Sequence, residues 1–398
     1  MTWAHAGRLA ALLQLWVFLG SYAYGLLAIL WRRFRRPAVQ QDLSRFRVSA
    51  LKPLRGLDPD LEKNLQSFAD IQGLSAFEVL LLVDDEGDAA LPIARSFAER
   101  WPERFRIVVG TTPGFANPKV ASLAHGLAHA RHDLLWISDS NVETDAGALR
   151  SLITAWREAQ PRGRRPTLIH APLVAVRGRG LGARFERLQL VSYNNVNIEL
   201  CRIAKQDAVV GKSLFLHRDD LAAVGGLEAF GSSSGEDYLM GQAFRKIGTV
   251  LCAARATRQV LGEEAARQFF DRQRRWGVLR KNMFWQTFLF LEPFTLLGVT
   301  FVTAALGLLP GWALALGLGV KIAGDMALFA AFAGQPPRLL DVLLLPFKEV
   351  VLLSSWVAAI PTRQVNWRGR QMQVEAGSAY APGSQSPELP SEDDGQFA

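Results

Sequence analysis

Between Leu9 and Trp31 the chain carries no charged residue over 23 positions, and Arg32, Arg33, Arg35 and Arg36 follow at once. At about 1.5 Å rise per residue such a run crosses a hydrocarbon layer of roughly 30 Å. The run is longer than the apolar core of a secretory leader and shows no small-residue cleavage site, so it reads as an uncleaved anchor. The arginines then put the residues after Arg36 on the cytoplasmic face.

The signal returns late in the chain. Pro293 to Val320 is uncharged, Pro310-Gly311 marks a turn, and further apolar runs reach Ala333 and extend from Leu339 to Ile360. Two or three more membrane segments are expected. Lys321 and Asp325 share a helix face four residues apart, and in a bilayer they are expected to pair with each other. Asp341, Pro346, Lys348 and Glu349 make the last segment poor as a full span, so a re-entrant or interfacial course is expected there. Parity agrees, because three complete crossings would carry Arg363, Arg368 and Arg370 to the outer side, against the positive-inside rule. From Glu375 onward the composition is Ser, Pro, Gly and acids with no basic residue, which reads as a disordered acidic tail.

Charged residues make up 21% of the chain against 49% apolar, which fits a soluble domain joined to membrane segments better than a disordered chain or a multi-span transporter. Two cysteines, Cys201 and Cys252, exclude a disulfide framework and a cysteine-rich zinc module. Between Arg47 and about Arg258, short β-rich runs alternate with amphipathic stretches, the pattern of an α/β domain with a mostly parallel sheet. Candidate strands are Val48 to Leu51, Phe77 to Val83, Phe105 to Val109, Leu134 to Ser138 and Thr167 to His170. Asp58-Pro59 reads as a cap and first-turn proline for a helix burying Leu61, Leu65 and Phe68. No GxGxxG or GxxxxGK[ST] follows a strand, which removes the usual evidence for dinucleotide and P-loop readings.

Two strands end in carboxylates, Asp84 and Asp85 after Phe77 to Val83 and Asp139 after Leu134 to Ser138, where open α/β sheets bind ligands. A third cluster is GEDY, Gly235 to Tyr238, and a fourth is the basic RQRRW, Arg272 to Trp276. An aspartate at a strand end is ordinarily a turn former or cap, and a basic helix beside a membrane ordinarily contacts lipid. The ordered combination carries the functional reading.

In that combination the chain resembles the membrane-bound, inverting nucleotide-sugar glycosyltransferases of GT-A fold, specifically the ceramide glucosyltransferase family, glycosyltransferase family 21. The matching positions are Asp85, Asp139 and Asp237, then Arg272, Arg275 and Trp276, with KPLRG (Lys52 to Gly56), NPK (Asn117 to Lys119), LIHAP (Leu168 to Pro172), Gly225-Gly226 and NWRGR (Asn366 to Arg370) in support. The likeness covers about residues 48 to 370. Together with the apolar and charged runs above, it gives an N-terminal anchor over 1 to 36, a cytoplasmic GT-A catalytic domain over 37 to 258, a basic interfacial helix region over 259 to 290, two or three membrane segments over 291 to 362, and a basic segment and disordered acidic tail over 363 to 398 as the expected organisation.

The resemblance implies roles. Glucose would pass from UDP-glucose to the primary hydroxyl of ceramide. Asp237 would be the general base, with Glu236 the runner-up, because an acceptor hydroxyl is a poor nucleophile at neutral pH. Asp85, assisted by Asp84, would meet the uracil or ribose. Asp139 would hold Mg2+ or Mn2+ on the diphosphate, whose charge develops as it leaves. Lys119, Arg272 and Arg275 would meet the donor phosphates, Trp276 would pack between donor and acceptor, and His170 would line the acceptor region. One departure stands out: the second motif reads DSN, so Asn141 supplies no second anionic ligand, and Glu143 is the nearest substitute.

Other readings stand beside this one. A relative acting on another membrane lipid, such as a hopanoid with an N-acetylhexosamine donor, would share the motifs. A processive polysaccharide synthase would need more spans for its channel. A non-catalytic membrane scaffold or a nucleic-acid binder would spread basic clusters over the soluble domain. Instead, residues 31 to 47, 267 to 281 and 361 to 370 carry net charges of +5, +5 and +3, more than the whole chain's +8. The positive excess therefore flanks the membrane segments, where it sets topology and meets the bilayer surface, and the remainder is net negative.

Overall fold

The computed structural model describes residues 3–35, 41–160, 165–333, 337–367 and 370–375. The expected acidic tail after Glu375, and Arg36 and Arg368, lie outside the described residues. Ten strands build the α/β part: β1 (Arg47–Leu54), β2 (Ala76–Val83), β3 (Phe105–Val109), β4 (Leu134–Ser138), β5 (Val142–Glu143), β6 (Thr167–His170), β7 (Leu173–Arg179), β8 (Ser213–His217), β9 (Thr249–Cys252) and β10 (Thr257–Glu263). The main sheet has the order β3-β2-β1-β4-β8-β6-β9, and β5-β10-β7 form a smaller one. In the main sheet β3, β2, β1 and β4 are parallel, while β8 runs antiparallel between β4 and β6. The α/β class and mostly parallel sheet agree with the sequence, and the strands continue to Glu263, past the expected domain end at 258.

Alternation along the strands builds two cores, one on each face of the sheet. Val79, Leu81, Trp136 and Phe215 point to one, and Leu80, Leu82, Ile137 and Leu214 to the other. In the first, Phe68 packs on Trp136 with ring centroids 4.9 Å apart, and the indole N–H donates to Ser213 Oγ at 2.9 Å. Leu61, Leu65 and Phe68 are buried as expected. The helix start differs: the helix is Leu61–Ala69, and Asp60, at φ 54°, holds the cap position. Asp58 instead accepts the Ser140 hydroxyl, tying this turn to the segment after β4.

Strand order fixes where a ligand would sit. From β1 the chain winds outward through β2 and β3, then crosses back to β4 on the other side of β1. Such a reversal opens a crevice beyond the carboxyl ends of the two strands. Lys52 in β1 and Asp139 after β4 flank it.

Three helices among the described residues are long and apolar enough to cross a membrane: Trp3–Trp31, Gly311–Phe332 and Leu339–Ala359. The pair Thr287–Thr295 and Leu297–Ala305, bent by 75°, makes a fourth candidate if it counts as one span. The break therefore falls on this pair, while the last segment, expected to be incomplete, is an unbroken helix of 21 residues. Its charges are matched internally: Lys348 pairs with Glu349 at 2.6 Å and donates to Gln189 Oε1 at 3.0 Å, and Asp341 receives Arg184 and Arg187. Lys321 and Asp325 pair at 2.6 Å, as expected, joined by the Tyr22 hydroxyl on Asp325 at 2.6 Å and by Ser192 on Lys321 at 2.9 Å. Gly324 allows this approach, because a Cβ there would lie 2.5 Å from the Tyr22 ring. Gln189 and Ser192 come from the connecting helix Gly180–Gln189 and the π-helical turn Leu190–Asn194, so the α/β part is bonded to the apolar helices through polar groups.

The basic helix Ala266–Met283 joins the two parts. Lys281 donates to the carbonyls of Ala359 and Ile360 at 2.9 and 2.7 Å, satisfying acceptors left at the end of the last membrane helix. A hairpin of β11 (Gln364–Trp367) and β12 (Arg370–Gln373) follows, its Val365 and Met372 packed with Val278 and Phe288.

Candidate active site

Asn117-Pro118 starts the helix Pro118–His129: the Asn117 Oδ1 accepts the Lys119 and Val120 N–H groups at 3.0 and 3.3 Å, and proline fits the first turn. The same side chain donates to Ser233 O at 2.7 Å and Glu236 Oε2 at 3.2 Å, clamping the NPK turn to the GEDY segment. Lys119 thereby enters the crevice. Its ammonium lies 2.9 Å from Asp139 Oδ1 and 3.2 Å from Glu236 Oε1.

Asp139 has a second cation. Lys212 Nζ is 2.9 Å from Asp139 Oδ2 and donates to Asn141 Oδ1 at 3.0 Å. Behind them, fully buried Lys52 donates to the carbonyls of Asp139 at 2.7 Å and Val142 at 3.3 Å. Burial, only partly offset by Asp139, pulls the Lys52 amine down to about 7. At Asp139 burial opposes ionisation, but Lys119 and Lys212 outweigh it and hold the carboxyl well below the usual range. For Lys119 burial likewise opposes the charge, and Asp139 and Glu236 raise it above the ordinary lysine value. Burial pushes the Glu236 carboxyl up despite Lys119.

Glu236 and Asp237 open the helix Glu236–Ile247, where the helix dipole favours anions. Asp237 Oδ2 accepts Gly211 N–H at 2.9 Å and Oδ1 accepts Tyr238 N–H at 2.8 Å, which fixes the carboxylate's orientation. Asp139, Lys119, Glu236 and Asp237, drawn from segments far apart in sequence, thus meet in one place.

Asp84 and Asp85 lie beyond the end of β2 on the neighbouring rim. Asp84 faces Arg55 at 3.5 Å, Asp85 accepts Gly87 N–H at 2.8 Å, and Asp88 accepts Gly56 N–H at 2.9 Å, joining this loop to KPLRG. His170 is buried at the end of β6, paired across β8 in the register that sets Ser213 beside Ser138. Arg272 forms a two-pronged contact with Glu264 at 3.0 and 2.8 Å and lies 3.3 Å from Glu186, so its guanidinium is committed to carboxylates in this arrangement. Arg275 is half-buried, and Trp276 packs against the cluster of Leu173, Ala175, Ala183, Leu190 and Leu261, against which Val210 also packs.

A profile of glycosyl transferase family 21 matches residues 13–380. The chain belongs to that family. It is 28% identical over 223 residues to a ceramide glucosyltransferase of Komagataella phaffii, covering 52% of this chain and 43% of that protein. With ceramide glucosyltransferase 1 of Caenorhabditis elegans it shares 29% over 243 residues, 59% of this chain and 50% of that one. The chain thus spans about half the length of these curated relatives. Among solved structures, a mannosyltransferase from Pyrobaculum calidifontis in complex with GDP-Man and Mn2+ aligns at 17% identity with TM-score 0.47, covering 88% of this chain and 99% of that one.

For a divalent ion, this family 21 chain presents one hard-oxygen carboxylate, Asp139, with the Asn141 amide oxygen nearby. Among the described residues no three His, Cys, Asp or Glu side chains converge as ligands. Glu143, the nearest substitute in sequence, is held by Arg177 and Arg258 instead. That donor set fits an ion carried in with phosphate oxygens, as Mg2+ commonly is, and does not fit a preformed protein cage. Sequence reasoning missed Lys212 and Gly211, which precede a short strand whose pairing with β4 sets Lys212 beside Asp139, while Gly211 meets Asp237.

Proposed function

We propose that this chain is an inverting glycosyltransferase that moves glucose from UDP-glucose to the primary hydroxyl of ceramide, giving β-glucosylceramide, with its α/β domain on the cytoplasmic face of a membrane. The observation that carries the reading is the meeting of Asp139, Lys119, Glu236 and Asp237 at the sheet's switch point, beside a helix that leads into membrane-type segments. Family membership supports it.

In this reading Asp84 and Asp85 take the uracil or ribose, and Lys119 and Asp139 lie at the diphosphate. A divalent ion on Asp139, Mg2+ or Mn2+, supplies electrostatic stabilisation of the leaving diphosphate when bound. Asp237 takes the proton from the acceptor hydroxyl as that oxygen bonds to the anomeric carbon from the face opposite the breaking bond, and UDP leaves with the bonding electrons. Glu236 is tied by Lys119 and Asn117, which favours Asp237 as the base. Arg275 borders the donor side, Arg272 steadies the helix through Glu264 and Glu186, and His170 and Trp276 belong to the acceptor side.

The acceptor's route is supported by aromatic contacts next to the base. Tyr238 meets Phe284 edge-on at 5.3 Å, and Gly235 lies so close to Met283 that a Cβ would be 1.9 Å from its methyl group. Phe284 ends the basic helix just before the bent pair. A lipid lying among those segments would present its hydroxyl near Asp237.

The test offers the purified chain UDP-glucose and UDP-N-acetylhexosamines, each with ceramide and with a hopanoid acceptor, and reads products by mass spectrometry. Hexosylceramide from UDP-glucose is expected. An N-acetylhexosaminyl hopanoid as the sole product would replace the substrates, polymer would replace the reaction, and no product with any pair would refute the transferase.

A further inference from the structure

Lys212 belongs to none of the recognised motifs, yet it sits at the centre, on Asp139. Asn141 stands where a second carboxylate would complete the acidic pair, and Lys212 bridges the two side chains, 2.9 Å from Asp139 Oδ2 and 3.0 Å from Asn141 Oδ1. Its backbone is pinned there, since its carbonyl accepts the Asp139 N–H at 3.3 Å and β8 pairs with β4 from Ser213 onward. With Lys119 on the other oxygen, a single aspartate separates two ammonium groups. Asp139 therefore has an ammonium group on each of its oxygens, with Glu236 sharing Lys119 at 3.2 Å, so its carboxylate is already matched, unlike that of a site built to collect a divalent cation before its substrate arrives. Ammonium groups are compact point charges that bind phosphate well, and in a partly buried crevice their attraction for an anion exceeds that in water.

Resting on the donor assignment above, we propose that Lys212, together with Lys119, is a fixed counter-cation for the diphosphate of the nucleotide, so that nucleotide binding at this centre persists without a divalent ion. On entry, phosphate oxygens take over the donors that Asp139 and Asn141 now hold. Asp139 keeps the two ammonium groups apart and aimed into the crevice when the site is empty. An Asn at position 141 suits this arrangement because it accepts the Lys212 hydrogen bond without adding a charge that would repel the phosphates.

The full chain in detergent is titrated with UDP by calorimetry, first with excess EDTA and then with Mn2+. Wild type should bind in EDTA with affinity within about tenfold of that with Mn2+. Lys212→Met should weaken binding in EDTA by about tenfold or more, whereas Lys212→Arg should stay within about threefold. If Lys212→Met melts early, Lys212→Gln, which keeps a donor for Asn141 while losing the charge, decides instead and should show the same loss. Wild-type binding that disappears in EDTA but is normal with Mn2+ overturns the proposal, as do uncharged variants that match wild type in EDTA. Failure of wild type to bind UDP under either condition refutes the donor assignment and takes this inference with it, an outcome distinct from the others.

Discussion

Replacing Asp237 by Asn changes the chemistry of the centre with little change of shape. The two carboxylate oxygens have separate partners, Gly211 N–H at 2.9 Å on Oδ2 and Tyr238 N–H at 2.8 Å on Oδ1. An amide offers one acceptor oxygen and turns its NH2 toward the other N–H, so one backbone donor loses its partner. For a partly exposed group this costs about 1 kcal/mol, small beside the ~5–15 kcal/mol stability of a folded protein. Loss of a general base is larger, about 10²–10⁴ in rate, or roughly 3–5 kcal/mol of barrier. In the proposed reading the nucleotide end rests on Asp139, Lys119 and Lys212, whose mutual ion pairs survive the change, so UDP affinity should hold within about threefold. Glycolipid formation at saturating donor, UDP calorimetry and a melting curve on the same preparation separate these effects. A turnover within about tenfold of wild type removes Asp237 as the base. Loss of UDP binding with an intact melting curve would make it a donor ligand.

Three further outcomes follow from named contacts. Lys321→Met leaves Asp325 without its ammonium inside the bundle and should cost about 3–5 kcal/mol, seen as a shorter lifetime in detergent, while Lys321→Met with Asp325→Leu recovers much of it; a double loss equal to the sum of the Lys321→Met and Asp325→Leu single losses would show that the two residues are not coupled. Arg272→Lys gives up the two-pronged hold on Glu264, so the melting temperature should fall by about 2–4 °C with UDP affinity kept within about threefold; the opposite pattern would make Arg272 a direct donor ligand. At Glu78 burial raises the carboxyl's value, but hydrogen bonds from Ser49 and the Arg131 N–H, with Arg106, outweigh it and leave it below the ordinary 4.5. Its contribution is therefore present above that value and lost as pH falls through the folded one, so acid titration of Glu78→Gln should lack a stability loss that wild type shows, and parallel curves would contradict this.

Local patterns were legible where local physics decides. Phe105–Val109, Leu134–Ser138 and Thr167–His170 stand as read, because each is a short β-rich run closed by turn residues. The Lys321 and Asp325 pair was legible from four-residue spacing alone. Lys212 was not, because nothing adjacent to it in sequence marks it; its meaning comes from an antiparallel register between β8 and β4, more than 70 residues apart. The partners of the last membrane segment's charges were hidden for a related reason. The sequence does not show that Arg184 and Arg187, on a distant helix, meet Asp341, that Gln189 of the same helix accepts from Lys348, or that Lys348 pairs with Glu349. Arg272 stands in a motif that suggests phosphate, and the carboxylates that engage it here, Glu264 and Glu186, carry no motif of their own by which sequence could have found them.

Purified wild-type chain in lipid, given UDP-α-glucose and ceramide, tests the account most directly, with the linkage of any product read by NMR. The account requires β-glucosylceramide, because a single displacement with Asp237 as base inverts the anomeric carbon. An α-linked product would contradict the inverting mechanism, and no glucosylceramide at all, from protein that still binds UDP, would contradict the assigned reaction.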